Sequence, residues 1–148
     1  MRRAAFFAVL LLTACGEPAA QPQPAPSETP ALLPAPASLV GEYRVAGIDG
    51  EELNAEFGIA LSIDSGRISF EPTCAGFVWS YAYRDGALDI ERRQEKLHHP
   101  PPPVCAIPIH PAQQRLATAL DAVNRAGRTP ANGIELSGNG RSVLLFSQ

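Results

Sequence analysis

The sequence predicts an α+β domain: a mostly antiparallel sheet, curled or closed into a small barrel, with one helix. Two observations lead to this prediction. Apolar and polar residues alternate in several short segments that end at Gly-containing turns, a pattern typical of strands with one buried face. Only one stretch, from about Ala112, has apolar residues at helical spacing. We therefore expect a single helix to cover one face or one open end of the sheet.

Strand-like segments flank turn signals at three places and predict three hairpins. Asp-Gly and Asn-Gly pairs are strong hairpin signals because both residues tolerate a positive φ. The hairpins join residues 59–63 to 68–70, 77–83 to 88–90 through Asp85-Gly86, and 134–136 to 143–146 through Asn139-Gly140. Before them, a first strand with Tyr43 and Val45 runs to a turn at Asp49-Gly50.

The helix is predicted from an apolar stripe and two boundary residues. The stripe consists of Leu116, Ala119, Leu120 and Val123. Pro111 is favourable in the first turn of a helix, and Gly127 is a suitable C-terminal cap.

The start of the chain has the pattern of a bacterial lipoprotein signal. Two arginines precede a short apolar run, which is the layout of a secretory signal peptide. The residues Leu12-Thr13-Ala14-Cys15 resemble a lipobox, so Cys15 is expected to be lipidated and to become the mature N-terminus. This resemblance implies palmitate-type acylation with more than one chain, which anchors a protein stably to a membrane. Gly16, where an aspartate would signal inner-membrane retention, favours the outer membrane.

Composition divides the chain into three parts: a signal peptide at 1–14, the lipidated Cys15 with a proline-rich tether to residue 38, and one domain at 39–148. Prolines fix φ and remove donors, so the tether is expected to be an extended spacer. The net charge is −3 and becomes more negative when Arg2 and Arg3 leave with the signal. The charge excludes the basic footprint of a nucleic-acid-binding protein.

The order of elements resembles the META domain of the HslJ-type heat-shock lipoproteins. The matching features run from Leu39-Val40-Gly41 and the strand at 59–63, through Cys74, the aromatic strand and Cys105, to the helix that ends near Leu120 and the final apolar strand. The resemblance implies a periplasmic setting and a link to envelope stress. It implies no defined biochemical activity.

With Cys15 lipidated, Cys74 and Cys105 remain as an even pair in an oxidising compartment, which favours a disulfide. Two alternatives stay open. The thiols could join His98, His99 and His110 in a metal site, although the paired spacing of structural zinc ligands is missing. They could also be free thiols of a redox protein.

The aromatic residues Phe77, Trp79, Tyr81 and Tyr83 share one face of their strand. They predict either the buried face of the sheet or a platform on which Trp79, Tyr81 and Tyr83 bind a small ligand. No nucleophile-and-base motif, metalloprotease motif or phosphate loop is present, so no enzymatic activity and no cofactor are expected. The sequence thus predicts a lipid-anchored, non-enzymatic module that binds another envelope protein or supports the envelope under stress. A small-ligand-binding lipoprotein and a thiol redox protein are the alternatives.

Overall fold

The computed structural model describes residues 33–71, 77–93 and 108–148. Cys15, Cys74, Cys105, His98 and His99 lie outside these residues. The described elements are β1 (Gly41–Ile48), β2 (Glu51–Glu52), β3 (Ala60–Ile63), β4 (Arg67–Glu71), β5 (Val78–Arg84), β6 (Ala87–Arg92), α1 (Pro111–Leu120), β7 (Arg125–Arg128), β8 (Ile134–Gly138) and β9 (Arg141–Ser147).

Eight of these strands form a closed antiparallel barrel. From β3 to β9 each strand pairs with the next along the chain, and β1 pairs with both β3 and β9, which closes the sheet. The short strand β2 pairs only with the end of β1, at Gly47 and Ile48. The predicted fold class, a small antiparallel barrel with one helix, is confirmed.

The three predicted hairpins are present and turn where the sequence indicates. Their strands are β3 and β4, β5 and β6, and β8 and β9. Asp85 and Asn139 adopt φ values of 49° and 47°, and the φ angle of the glycine after each is also positive. These are the conformations that Asp-Gly and Asn-Gly pairs tolerate at low cost. Asp49-Gly50 forms the same kind of turn between β1 and β2.

The interior of the barrel is filled by the side chains that alternate inward along the strands. Because each strand has a period of two, one face of every strand contributes to a single core. The largest side chains with less than 2% exposure are Trp79, Phe70, Leu39, Ile48, Ile59, Leu61, Ile68, Leu116, Leu120, Leu136, Leu145 and Val143. The barrel is therefore a packed body over the residues described.

Helix α1 packs its apolar stripe into this core. His110 caps its N-terminus: the Nδ1 atom accepts from the Ala112 amide at 3.1 Å, and Gln113 Oε1 accepts from the His110 amide at 3.0 Å. Pro111 occupies the first turn, as predicted. The prediction that Gly127 caps the helix is wrong, because the helix ends at Leu120 with Asp121 as its cap and Gly127 lies in β7.

Residues 33–39 lie at the opposite end of the barrel from the helix. The Leu33 amide donates to the Arg128 carbonyl, and the Tyr83 hydroxyl donates to the Pro36 carbonyl at 2.6 Å. Leu39 is buried in the core with 1% exposure. Contacts with the barrel thus begin within the stretch that the sequence assigns to the tether. Strands β6 and β7 share only one residue pair, so backbone groups of β7 remain available to pair with Leu33.

Candidate functional site

The predicted aromatic stripe lies on the inner face of β5, at the end of the barrel that carries the helix. Trp79 has no exposed surface, and its ring centroid lies 5.4 Å from that of Phe70 and 6.2 Å from that of Phe77. A side chain without exposed surface cannot contact a ligand in solvent, so the position of Trp79 favours the interpretation of the stripe as core.

Trp79 also connects β5 to the end of the helix through a polar cluster. Its Nε1 donates to Asp121 Oδ1 at 2.8 Å, and Arg92 of β6 donates to the two Asp121 oxygens at 2.9 and 2.5 Å. The Arg92 guanidinium lies 5.5 Å from the Trp79 ring centroid, within cation–π range. The Asp121 carboxylate therefore joins three elements.

Tyr81 and Tyr83 are half-buried further along β5, and both hydroxyls donate to backbone carbonyls. Tyr81 donates to Asp64 at 2.5 Å, and Tyr83 donates to Pro36 at 2.6 Å. Burial raises the pKa of both phenols, as it does for Tyr43 of β1. These hydroxyls connect β5 to Asp64, which follows β3, and to Pro36, which precedes β1, and their part in ligand binding stays a prediction.

The described residues offer little for metal or membrane chemistry. His110, the one described histidine, accepts a helix amide through Nδ1 and has an edge-to-face contact with Phe57. Within the described ranges no three His, Cys, Asp or Glu side chains group as metal ligands would, and no helix there is long and apolar enough to cross a bilayer.

The concave feature best suited to binding is an apolar groove on the outside of the barrel, over β8, β9 and β1. Its floor contains the outward-facing Leu144 and Phe146 of β9 and Ala46 of β1. Its volume is about 460 Å³, within the range of pockets that hold small molecules or a few side chains. We call this feature the β9 groove.

Two close backbone approaches form the walls of the β9 groove. The turn at 129–133 folds over β9, and a Cβ at Gly133 would lie 3.1 Å from both Leu144 Cδ1 and Phe146 Cε1. On the other side β2 lies so near β1 that a Cβ at Gly47 would lie 2.9 Å from the Glu51 carbonyl oxygen. Both glycines permit contacts that any side chain would disturb.

Glu52 and Glu135 lie beside the floor of the β9 groove, because Glu52 is opposite Gly47 and Glu135 is opposite Leu144. Glu51 is opposite the core residue Ile48 and borders the groove with its backbone carbonyl.

Arg44 lies opposite the floor residue Phe146 on the same outer face, and Arg115 Nη1 lies 3.7 Å from Glu51 Oε2. Arg125 and Arg141 line an adjoining depression together with Glu135. The β9 groove therefore combines an apolar floor with an edge that carries charges of both signs.

Sequence reasoning did not identify this groove, although one signal for it is present. The residues Val143-Leu144-Leu145-Phe146 are apolar without alternation. A half-buried strand with one solvated face alternates, and a continuous apolar run indicates that both faces are covered. Here Val143 and Leu145 face the core, while Leu144 and Phe146 remain half-exposed on the outside.

Comparison of this chain with models of protein families, with curated proteins and with solved structures finds no match.

Proposed function

We propose that the chain is a lipid-anchored, non-enzymatic module of the bacterial envelope that faces the periplasm and binds another envelope protein through the outside of its barrel. The observation that supports this most is the β9 groove. The core side chains fill the inside of the described barrel, whereas Leu144 and Phe146 present apolar surface outside it. Exposed apolar surface rimmed by polar residues is typical of interaction sites.

The location in this proposal comes from the lipobox-like residues around Cys15. A lipid on Cys15 would place the barrel beside the membrane, at a distance set by the proline-rich residues up to 32. An extended proline-rich chain spans about 3.1 Å per residue, so the tether allows a reach of about 50 Å. The META-domain resemblance adds a role under envelope stress to this proposal.

Photo-crosslinking in intact cells tests the interaction directly. A photoreactive residue replaces Leu144 in the groove, and a matched one replaces Ala82, which is exposed on the outer face of β5. We expect the Leu144 position to yield a discrete crosslinked envelope protein and the Ala82 position to yield none. Equal crosslinking patterns at both positions would contradict a binding role of the groove.

The lipid anchor has its own test. Cys15→Ser should move the protein from the membrane fraction to the soluble periplasmic fraction or leave its signal uncleaved, and metabolic labelling with palmitate should be lost. Continued membrane association with retained palmitate in this variant would contradict the proposed anchor.

A small-ligand-binding lipoprotein is a second candidate, favoured by the volume of about 460 Å³ and the apolar floor of the same groove. A ligand that binds only the folded state raises the unfolding temperature in proportion to the logarithm of its concentration. A screen of apolar small molecules by thermal shift, repeated on Leu144→Ser, would identify such a ligand. A compound whose shift disappears in Leu144→Ser would favour this function over protein binding.

A further inference from the structure

We infer that the β9 groove is the docking site of the chain's own proline-rich tether, residues 17–32, and that a partner protein must displace this segment in order to bind. The inference deepens the proposed function, because it supplies the regulation of the same site. Docking of the tether can be measured in the purified chain without any partner.

The described chain begins beside the groove. Leu33 pairs with Arg128 in an antiparallel bridge, and its amide donates to the Arg128 carbonyl. The residues that follow Arg128 are Thr129, Pro130 and Ala131, which line the groove at its turn wall. Antiparallel partners run in opposite directions, so the chain that precedes Leu33 is directed towards this wall. The tether therefore reaches the barrel surface at the edge of the groove.

The composition of the tether suits the apolar floor. Pro22, Pro24 and Pro26 stand at alternate positions within it. Proline has no amide N–H, so this segment brings few unpaired donors to a floor of Leu144 and Phe146, whose side chains offer no acceptor. A proline-rich segment also favours the polyproline II conformation, which lowers the entropy that it loses when it docks against an aromatic side chain.

Covalent attachment, and not charge, selects the tether as the occupant. The edge of the groove carries charges of both signs, so it does not repel a segment that carries only Glu17 and Glu28. A segment on a short flexible linker has an effective concentration in the millimolar range at a nearby site. A contact with an intrinsic dissociation constant of about 1 mM is then occupied about half of the time. A free segment with the same weak contacts lacks this advantage.

The length of the tether permits docking without release of the anchor. An extended chain from 17 to 32 spans about 50 Å, whereas Leu144 and Phe146 lie about 6.6 Å apart along β9. The tether can therefore cover the floor and still connect to the expected lipid on Cys15. A docked tether shortens the distance between barrel and membrane, and displacement by a partner restores the full reach. Partner binding and extension of the domain are thereby coupled.

Photo-crosslinking within the purified mature chain tests the docking. A photoreactive residue replaces Glu52, which is exposed on β2, across the groove from the turn wall. The control replaces Ala87, which is exposed on the outside of β6 beside Gly86, where an added Cβ would lie 3.0 Å from Ala35 Cβ. The control is thus close to the first described residues but outside the groove.

Mass spectrometry of the crosslinked peptides gives the result. We expect position 52 to crosslink to residues 17–32 with a yield about fivefold or more above that of position 87, because an undocked tether would not prefer the groove. Equal yields at the two positions overturn the inference. Crosslinks that join two molecules and increase with protein concentration overturn it as well, because the occupant is then a second copy.

A tether variant tests the role of the prolines. The variant combines Pro22→Gly, Pro24→Gly and Pro26→Gly, which restores the amides and raises the entropy lost on docking. We expect the crosslink from position 52 to residues 17–32 to fall about threefold or more. In intact cells the yield of envelope protein crosslinked from Leu144 should rise about twofold, because the half-occupied groove becomes free. An unchanged yield in both measurements overturns the inference.

Two outcomes separate this inference from the proposed function. If position 52 crosslinks to residues 17–32 but Leu144 crosslinks no envelope protein in cells, the proposed function fails alone. If Leu144 crosslinks an envelope protein while position 52 does not reach residues 17–32, the proposed function stands and the docking of the tether is wrong.

Discussion

Strands β5 and β9 have the same length, and both contribute to the same core, yet they divide their apolar residues differently. On β5 the large aromatic side chains point inward, and the outer face carries Ser80, Ala82 and Arg84. On β9 the inward residues are the smaller Val143 and Leu145, and apolar Leu144 and Phe146 also lie outside. Apolar area on β5 therefore stabilises the fold, whereas the outer apolar area on β9 stays partly exposed, and we propose that it binds a partner.

The largest expected effect is the loss of stability on truncation of Trp79. Trp79→Ala removes a side chain without exposed surface and the hydrogen bond from its Nε1 to Asp121. We expect the free energy of unfolding to fall by about 3–5 kcal/mol in urea titrations, enough to unfold much of a small domain. Leu144→Ala on the outer face should cost about 1 kcal/mol or less. Similar losses in the two variants would remove the distinction between the strands.

Removal of the predicted disulfide is expected to have the next largest effect. Cys74 lies three positions before Phe77 in the sequence, and Arg93, the last described residue before Cys105, donates its amide to the Val78 carbonyl of β5 at 2.8 Å. A bridge that closes a loop of this length contributes about 3–4 kcal/mol. Cys74→Ala with Cys105→Ala should lower the unfolding midpoint accordingly.

Thiol titration of the unfolded mature chain decides between the disulfide and the redox alternative. We expect Cys74 and Cys105 to react only after treatment with a strong reductant. Rapid reduction by glutathione, followed by reoxidation, would favour a thiol redox protein. Two reactive thiols without any reductant would contradict the bridge.

Substitutions of Asp121 test which contacts connect β5 to the end of the helix. Asp121→Asn keeps an acceptor for Trp79 Nε1 but removes the charge that faces Arg92, whereas Asp121→Ala removes both contacts. Because both partners of the ion pair are more than one third exposed, we expect about 0.5–1 kcal/mol for the first and about 1–3 kcal/mol for the second, measured by urea unfolding. An Asn variant as unstable as the Ala variant would show that the charge and not the hydrogen bond is decisive.

The sequence predicts the barrel better than it predicts the site because the two depend on different information. Alternation and Asp-Gly or Asn-Gly turns are local, and they located the three hairpins. Strand β7 was missed since Arg125-Ala126-Gly127-Arg128 is short and contains a glycine, and its pairing with β8 decides its conformation. The pairing of Trp79 with Asp121 joins residues 42 positions apart, which no local pattern reveals.

The β9 groove illustrates the same limit. The apolar run at 143–146 indicates that β9 has two apolar faces, and this much is present in the sequence. No local sequence pattern indicates the walls of the groove, because they depend on the turn at 129–133 folding over β9 and on β2 lying against β1. The edge of the groove likewise collects residues from β2 and β8, which are far apart in the chain.

A polar substitution in the groove tests whether the outer face of β9 contributes to stability. Leu144→Ser exposes no core, because Leu144 points away from the barrel interior and is only partly buried. We expect the free energy of unfolding to change by about 1 kcal/mol or less. Crosslinks to the partner, formed from a photoreactive residue at Pro130 in the groove wall, should disappear in this variant. Loss of folding in this variant, seen by circular dichroism, would mean that the outer face of β9 serves stability after all.

The smallest expected effect is a pH dependence of the folding stability, which arises from tyrosines on the inner face of the barrel. Burial raises the pKa of Tyr43, Tyr81 and Tyr83 above 10.0, the ordinary value. In the unfolded chain these phenols lose their protons near pH 10, while the folded barrel still holds them, so stability must fall as the pH rises above about 10. Little else titrates there, because Lys96 is the single lysine. Tyr83→Phe should therefore flatten the decline of the urea midpoint between about pH 9.5 and 11, whereas Leu144→Ser should leave its slope unchanged. An identical slope in Tyr83→Phe would show that this phenol ionises as readily in the barrel as in the unfolded chain.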